Sequence, residues 1–156
     1  MNYWLMKSEP SVYGIWDLQR EGQTLWDGVR NYQARNYLKA MRPGDRAFFY
    51  HSNADPPGIA GLMEILETQV VDPSQFDTAS PYYDPQSTPA DPRWQTVRVQ
   101  FVAAFERLIP LSELRDTFTP DELGVVRRGT RLSVMPVAEA VAERLLALTT
   151  VSTQPL

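Results

Sequence analysis

The chain has 156 residues, 43% of them hydrophobic and 22% charged, with a formal net charge of -4, no cysteine and one histidine. That length suits a single domain with a proper core, expected over residues 1–149 with a short frayed tail over 150–156. Without cysteine there is no disulfide framework or thiolate chemistry. A lone histidine excludes a zinc site built mainly of imidazoles within one chain, and the acidic balance argues against broad electrostatic binding of long duplex nucleic acid.

In chain order, Asn2 to Met6 is short, aromatic and strand-like, and Lys7-Ser8-Glu9-Pro10 ends it, because proline cannot continue the pairing. Three polar residues after such a strand form either a surface turn or a set of donors where open sheets place ligands. Ser11 to Glu21 has helical spacing, with Val12, Ile15, Trp16 and Leu18 as its apolar face and Gly22 at its end. Leu25 to Met41 is the stretch around which the rest is organised. Gly28 supplies a turn, Asn31 an N-cap, and the helix that follows carries Tyr32, Arg35 and Tyr37. A helix N-terminus favours anions. Trp26, Asp27, Arg30 and Asn31 gather near this one. A large aromatic beside basic and amide groups suits a flat, polar, partly anionic ligand such as a nucleotide. The same residues also fit a plainer role as core aromatics and a solvated basic face.

Pro43-Gly44-Asp45 marks a turn, Arg46 to His51 a strand rich in aromatics, and Ser52 to Gly58 a loop. Ile59 to Val71 reads as the returning strand, with Gly58 and Gly61 at close approaches or bulges. Asp72 to Arg93 is long and irregular. It holds five prolines together with Phe76, Tyr82 and Tyr83, aromatics that argue against disorder. Trp94 to Phe105 alternates, with Val97, Val99 and Phe101 on one face and Thr96, Arg98 and Gln100 on the other. Ser112–Arg115 forms a short helix, and Thr119-Pro120-Asp121-Glu122 has the form of a helix start. A basic stretch with Arg127, Arg128 and Arg131 follows, then a strand from Leu132 to Val137 and a helix from Val137 to Leu148 that buries Val141, Leu145 and Leu148. This order suggests an α+β domain on a curved, mixed or barrel-like sheet.

Catalytic signals are weak. His51 and Ser52 are neighbours on a strand and so point apart. Neither a nucleophile elbow nor a Gly-rich phosphate loop is present, and Asp84 with Asp91 is an unspecific carboxylate pair. Binding reads better. Trp26, Tyr32, Tyr50, Tyr82 and Tyr83 offer aromatic surface, while Lys7, Arg30, Arg35, Arg127, Arg128 and Arg131 offer anion contacts. Ser8, Ser52, Asn53 and Ser133 offer edge-reading hydrogen bonds, and His51 a neutral donor or acceptor. Lys7, Arg30, Arg35 and Arg131 are expected around one mouth, with Trp26 and Tyr82 or Tyr83 as walls. Alternatives remain a small enzyme acting on a nucleotide or RNA with His51 as acid or base, and a binder of a free metabolite. No apolar run reaches membrane-spanning length and no leader pattern is present. The expectation is therefore a cytoplasmic monomer without membrane partner, metal or cofactor.

Five segments carry a family resemblance: Trp4 to Pro10, Trp26 to Asn36, Phe49 to Asn53, Gly58 to Gly61 and Arg131 to Val134. In order and spacing they resemble the EVE domain, from Tyr3 to about Leu148. This resemblance implies a PUA-like fold, a curved sheet or open barrel with flanking helices. It extends to the YTH domains, readers of methylated adenine in RNA, whose lysine-serine pair is similar to Lys7-Ser8 and whose first cage tryptophan falls where Trp26 lies. Their second cage aromatic comes from a loop that here holds Tyr82 and Tyr83. What the resemblance implies is recognition of a modified base in nucleic acid, DNA or RNA, with modified cytosine in DNA the favoured ligand.

Overall fold

Alternation along two neighbouring strands decides where the layers lie. β1 (Tyr3–Ser8) sends Trp4 and Met6 to one face and Leu5 to the other, and all three are buried. β3 (Arg46–His51) does the same, with Ala47 and Phe49 in the first core and Phe48 and Tyr50 in the second. Strands apolar on both faces need cover on both. On the first face, α1 (Ile15–Glu21) contributes Ile15 and Leu18, and α2 (Tyr32–Ala40) contributes Ala34 and Leu38. On the second, α3 (Leu111–Thr117) contributes Leu114, and α4 (Glu139–Val151) contributes Val141, Ala142 and Leu145.

This computed structural model describes residues 1–151. The remaining strands are β2 (Gln23–Leu25), β4 (Gly58–Val71), β5 (Gln95–Pro110) and β6 (Val134–Val137). The six form one sheet in the order β2-β5-β4-β3-β1-β6. β1 and β3 are parallel and every other pair is antiparallel, so the sheet is mixed. β2 and β6 are left as edges, so the sheet is open rather than a closed barrel. Register shifts between β3 and β4 and along β4 and β5 supply the curvature. Gly61 sits in that bent region, where a Cβ would strike the Ala103 carbonyl and come within 2.6 Å of Ile15 Cδ1. The α+β class, the curved open sheet and the flanking helices are those expected from the sequence.

Several boundaries differ. α1 begins at Ile15 rather than Ser11, because residues 10–13 form a turn. Val12 and Trp16, expected on its buried face, are 65% and 55% exposed. β2 was not expected at all; at three residues it is too short to show a period. Thr96, expected on a polar face, is buried, and its hydroxyl donates to the Trp26 carbonyl. Thr119 and Glu122 exchange reciprocal backbone–side-chain bonds as a helix start would, yet the chain makes one turn and goes straight into a 3-10 turn at Gly124–Val126. The last helix starts at Glu139, since Val137 is held by β6. Thr149 to Val151 extend α4 into the expected tail, and residues 152–156 lie outside the described residues.

The long segment 72–93 is folded around Gln75, which is fully buried. Its amide donates to the carbonyls of Asp72 and Trp94, and its Oε1 accepts from Ser87 Oγ and Trp94 N. Trp94 Nε1 in turn donates to Asp84 at 2.8 Å. One buried amide with its donors and acceptors engaged replaces the regular hydrogen bonding that the prolines forbid.

Candidate functional site

A cavity of 670 Å³ opens beyond the C-terminal ends of the two parallel strands, β1 and β3. Open sheets place ligands at such a position. Most of the candidate residues line it: Lys7 and Ser8 from the end of β1, Ser52 and Asn53 after β3, Trp26 and Arg30 after β2, Tyr82 from the long segment, and Arg131 and Ser133 before β6.

Trp26 is placed by the backbone on both sides of its side chain. Its N–H donates to the Val97 carbonyl at 2.9 Å and its own carbonyl accepts from Thr96, so it continues the pairing of β2 with β5. The residue is 7% exposed, and its ring meets Phe49 edge-on at 5.3 Å. It is thus a core aromatic and a cavity wall together, and the two readings of the sequence are not exclusive.

The wall beside it is held by Asp72, which is 1% exposed. This carboxylate accepts from Gly28 N, Arg30 Nη1, Ser74 N and Ser74 Oγ. Burial alone would raise its pKa, but the bonds from Ser74, Gly28 and Arg30 outweigh that and hold it below the usual carboxylate value. Arg30 is engaged at all its donors. Nε and Nη2 reach the Tyr82 carbonyl, Nη1 reaches Val29 O and Asp72, and Nη2 also reaches Ser74. Arg30 therefore acts as a clamp, with no N–H left for a phosphate. Its guanidinium lies 5.8 Å from the Tyr82 ring and 5.2 Å from the Trp94 ring. Trp94 stacks on Tyr32 at 4.9 Å, and Arg35 lies over Tyr32 at 4.7 Å. Aromatic and guanidinium groups so follow one another in the order Tyr82, Arg30, Trp94, Tyr32 and Arg35. Gly28 is required twice: its φ is +84°, and a Cβ there would lie 2.6 Å from Tyr82 Cζ.

The opposite wall is different. Lys7 Nζ, 5.9 Å from the Tyr50 ring, forms no ion pair among the described residues, and burial pulls its pKa down. Arg131, Ser52 Oγ and Ser133 Oγ likewise have no side-chain partner among the described residues. Ser8 Oγ donates to the Tyr13 carbonyl, and Asn53 Nδ2 donates to Glu9 at 3.2 Å. Asn53 has a φ of 50°, the left-handed turn geometry that asparagine tolerates. Val12 and Tyr13 also line the cavity and carry no binding signal in the sequence, while Glu9 and Asp27 line it as members of the polar groups the sequence places around Lys7-Ser8 and Trp26. Burial, then the bond to Glu21, push the Tyr13 phenol up to about 12.

Four candidates lie elsewhere. Asn31 is the N-cap of α2 and accepts from Ala34 N. Arg35 is turned to the Arg93 carbonyl and Asn36, so it does not join Lys7, Arg30 and Arg131 at the mouth. Tyr83 is 41% exposed outside the cavity, leaving Tyr82 as the tyrosine that lines it. His51 is 3% exposed, and its Nε2 accepts from Ile15 N, an otherwise unpaired donor at the start of α1. Burial pulls its pKa down, and the neutral ring packs edge-on against Trp16 and Phe49. Of the other sequence groups, Tyr50 is buried in the second core and Arg127 pairs with Asp121. No three His, Cys, Asp or Glu side chains among the described residues converge as a metal site, and no described helix is long and apolar enough to cross a membrane.

The EVE-domain model matches residues 2–148. The chain belongs to the EVE-domain family. It is 44% identical to thymocyte nuclear protein 1 of Mus musculus over 165 residues, covering 94% of this chain and 73% of that protein. A crystal structure of the human THYN1 protein in complex with 5-methylcytosine-containing DNA superposes with a TM-score of 0.87 at 43% identity, over 96% of this EVE chain and 98% of that one. The YTH domain of Zygosaccharomyces rouxii MRB1, solved with N6-methyladenosine RNA, shares the fold, with a TM-score of 0.56 at 14% identity over 95% and 86% of the two chains.

Proposed function

We propose that this EVE domain is a non-enzymatic reader of a modified base, with modified cytosine in DNA as the favoured ligand. The base enters the cavity beside Trp26 and Tyr82 while its phosphates stay at the rim with Lys7 and Arg131. One observation carries this reading: the groups along the far wall, Lys7, Ser52, Arg131 and Ser133, keep hydrogen-bonding capacity that the protein itself does not use. Polar groups around an aromatic face are what a splayed-out base needs, since the ring stacks and the edge is read. The human relative held with 5-methylcytosine-containing DNA supports the ligand class. His51 is a poor acid or base for the alternative, because its accepting nitrogen is already bonded inside the fold.

The test is a titration with short oligonucleotides carrying cytosine, 5-methylcytosine or 5-hydroxymethylcytosine at one position. The expected result is tighter binding of a modified form, weakening as salt rises. Binding of a free nucleoside as tight as that of the oligonucleotide, with no salt dependence, would point to a small-metabolite site instead.

A further inference from the structure

Asp27 stands beside Trp26 on the cavity wall, with its side chain exposed. Its own N–H donates to Leu25 O at 3.0 Å, and no other residue among those described donates to its carboxylate. Glu9, the other acidic group of the lining, already accepts from Asn53. An unshared carboxylate in a cavity that also holds Lys7 and Arg131 decides which end of a nucleotide enters. A phosphate would meet a like charge, whereas a base would meet a group that only accepts. Among pyrimidines the two edges differ at C4 and N3: cytosine and its 5-methyl form carry an amine at C4, a donor, beside an unprotonated N3, where thymine and uracil carry a C4 carbonyl, an acceptor, beside an N3–H.

Resting on the base-pocket reading above, we infer that Asp27 is the specificity-determining residue, accepting a hydrogen bond from the exocyclic amine, so that the pocket takes amine-bearing bases and rejects keto pyrimidines. A thymine carbonyl facing this carboxylate would set two acceptors against each other. The surroundings make the carboxylate ready for a donor. Desolvation at the mouth, then the nearby charge of Asp72, raise its pKa, and its own backbone N–H and then Arg30 offset this only in part. Arg30 cannot satisfy Asp27 directly, because its donors are all engaged.

The decisive pair of ligands is 5-methylcytosine and thymine, which share the ring methyl and differ at C4 and in the proton on N3. Single-stranded oligonucleotides of one sequence, carrying 5-methylcytosine, cytosine or thymine at a central position, are titrated against the wild-type chain and Asp27→Asn. The wild type is expected to hold 5-methylcytosine at least about tenfold tighter than thymine. Asp27→Asn, whose amide can donate or accept, should bring the ratio to within about twofold with an unchanged melting temperature. Asp27→Ser, smaller and uncharged, provides the same reading should the asparagine variant fold poorly. Retention of the full ratio in a folded variant overturns the inference. If the wild type prefers 5-methylcytosine to cytosine but holds thymine equally well, the base reading stands and the role of Asp27 falls. If it holds none of the three, both fall.

Discussion

The two walls of the cavity are built on opposite principles. On the wall formed by Gly28, Arg30, Asp72 and Tyr82, every Arg30 donor is engaged and the carboxylate that anchors it is buried. On the wall formed by Lys7, Ser52, Arg131 and Ser133, the side chains make no ion pair or side-chain hydrogen bond among the described residues. The first wall is stiff because its chemistry is satisfied internally; the second leaves its chemistry unused among the described residues. A cation lining a pocket is therefore no evidence of anion binding until its donors have been traced. Arg30 and Arg131 line the same cavity, the first with every donor engaged and the second with no side-chain partner among the described residues.

This contrast can be broken most severely at Asp72. Asp72→Ala leaves the Arg30 charge without its partner and Gly28 N without an acceptor. The expected loss in denaturant unfolding is about 3 kcal/mol, the lower end for a broken buried pair because Arg30 keeps some exposure to solvent. Gly28→Ala comes next. It forces an L-residue to a φ of +84° and drives a methyl into the Tyr82 ring. A destabilisation of about 1–2 kcal/mol is expected, with weaker oligonucleotide binding as Tyr82 is displaced.

His51 sharpens the contrast from a third place, behind the cavity. Its neutral ring accepts from Ile15 N, and its folded pKa lies below the ordinary 6.5. The unfolded chain thus takes up the proton first as pH falls. The stabilisation is complete above the ordinary value and is lost as pH drops through the folded one. Melting curves should show stability falling as pH drops below the ordinary histidine value, and His51→Gln should flatten that slope. The smallest effect on stability belongs to the open wall. Arg131→Gln should leave unfolding within about 0.5 kcal/mol of wild type. It should nonetheless weaken all oligonucleotides alike and lower the salt slope by about one unit.

Local chemistry made part of this legible in the sequence. β3 could be read to the residue, because RAFFYH is apolar on both faces between two turn signals. Asn31 could be read as a cap because its side chain acts three residues away. Trp26 could be placed on the cavity through its neighbours and the family resemblance. The partners of Arg30 could not be read, since Asp72 and Tyr82 lie more than forty residues along the chain and only the folded sheet brings them near. For a related reason the sequence shows that His51 is a hydrogen-bonding group and not what it bonds. A lone histidine at a strand end reads as a neutral donor or acceptor, as it proves to be, yet its partner is the start of α1, 36 residues upstream, and not the cavity. The reciprocal bonds of Thr119 and Glu122 are real, and they show that a cap does not by itself propagate a helix.

At the far end of the sheet, the short strand β6 governs what else the domain can pair with. Lys7 N donates to Ser133 O, so in this antiparallel register the residues paired across Tyr3–Val137 and Leu5–Met135 face inward to β1, and Val134 and Pro136 turn their backbone groups outward. Proline has no N–H to offer there. Along this rim an incoming strand finds the Val134 donor and then a gap, too little to template a ladder. Replacing Pro136 with valine would restore the missing donor and leave an apolar edge open to adhesion between copies, so a single ring on β6 serves as the guard against sheet-to-sheet association.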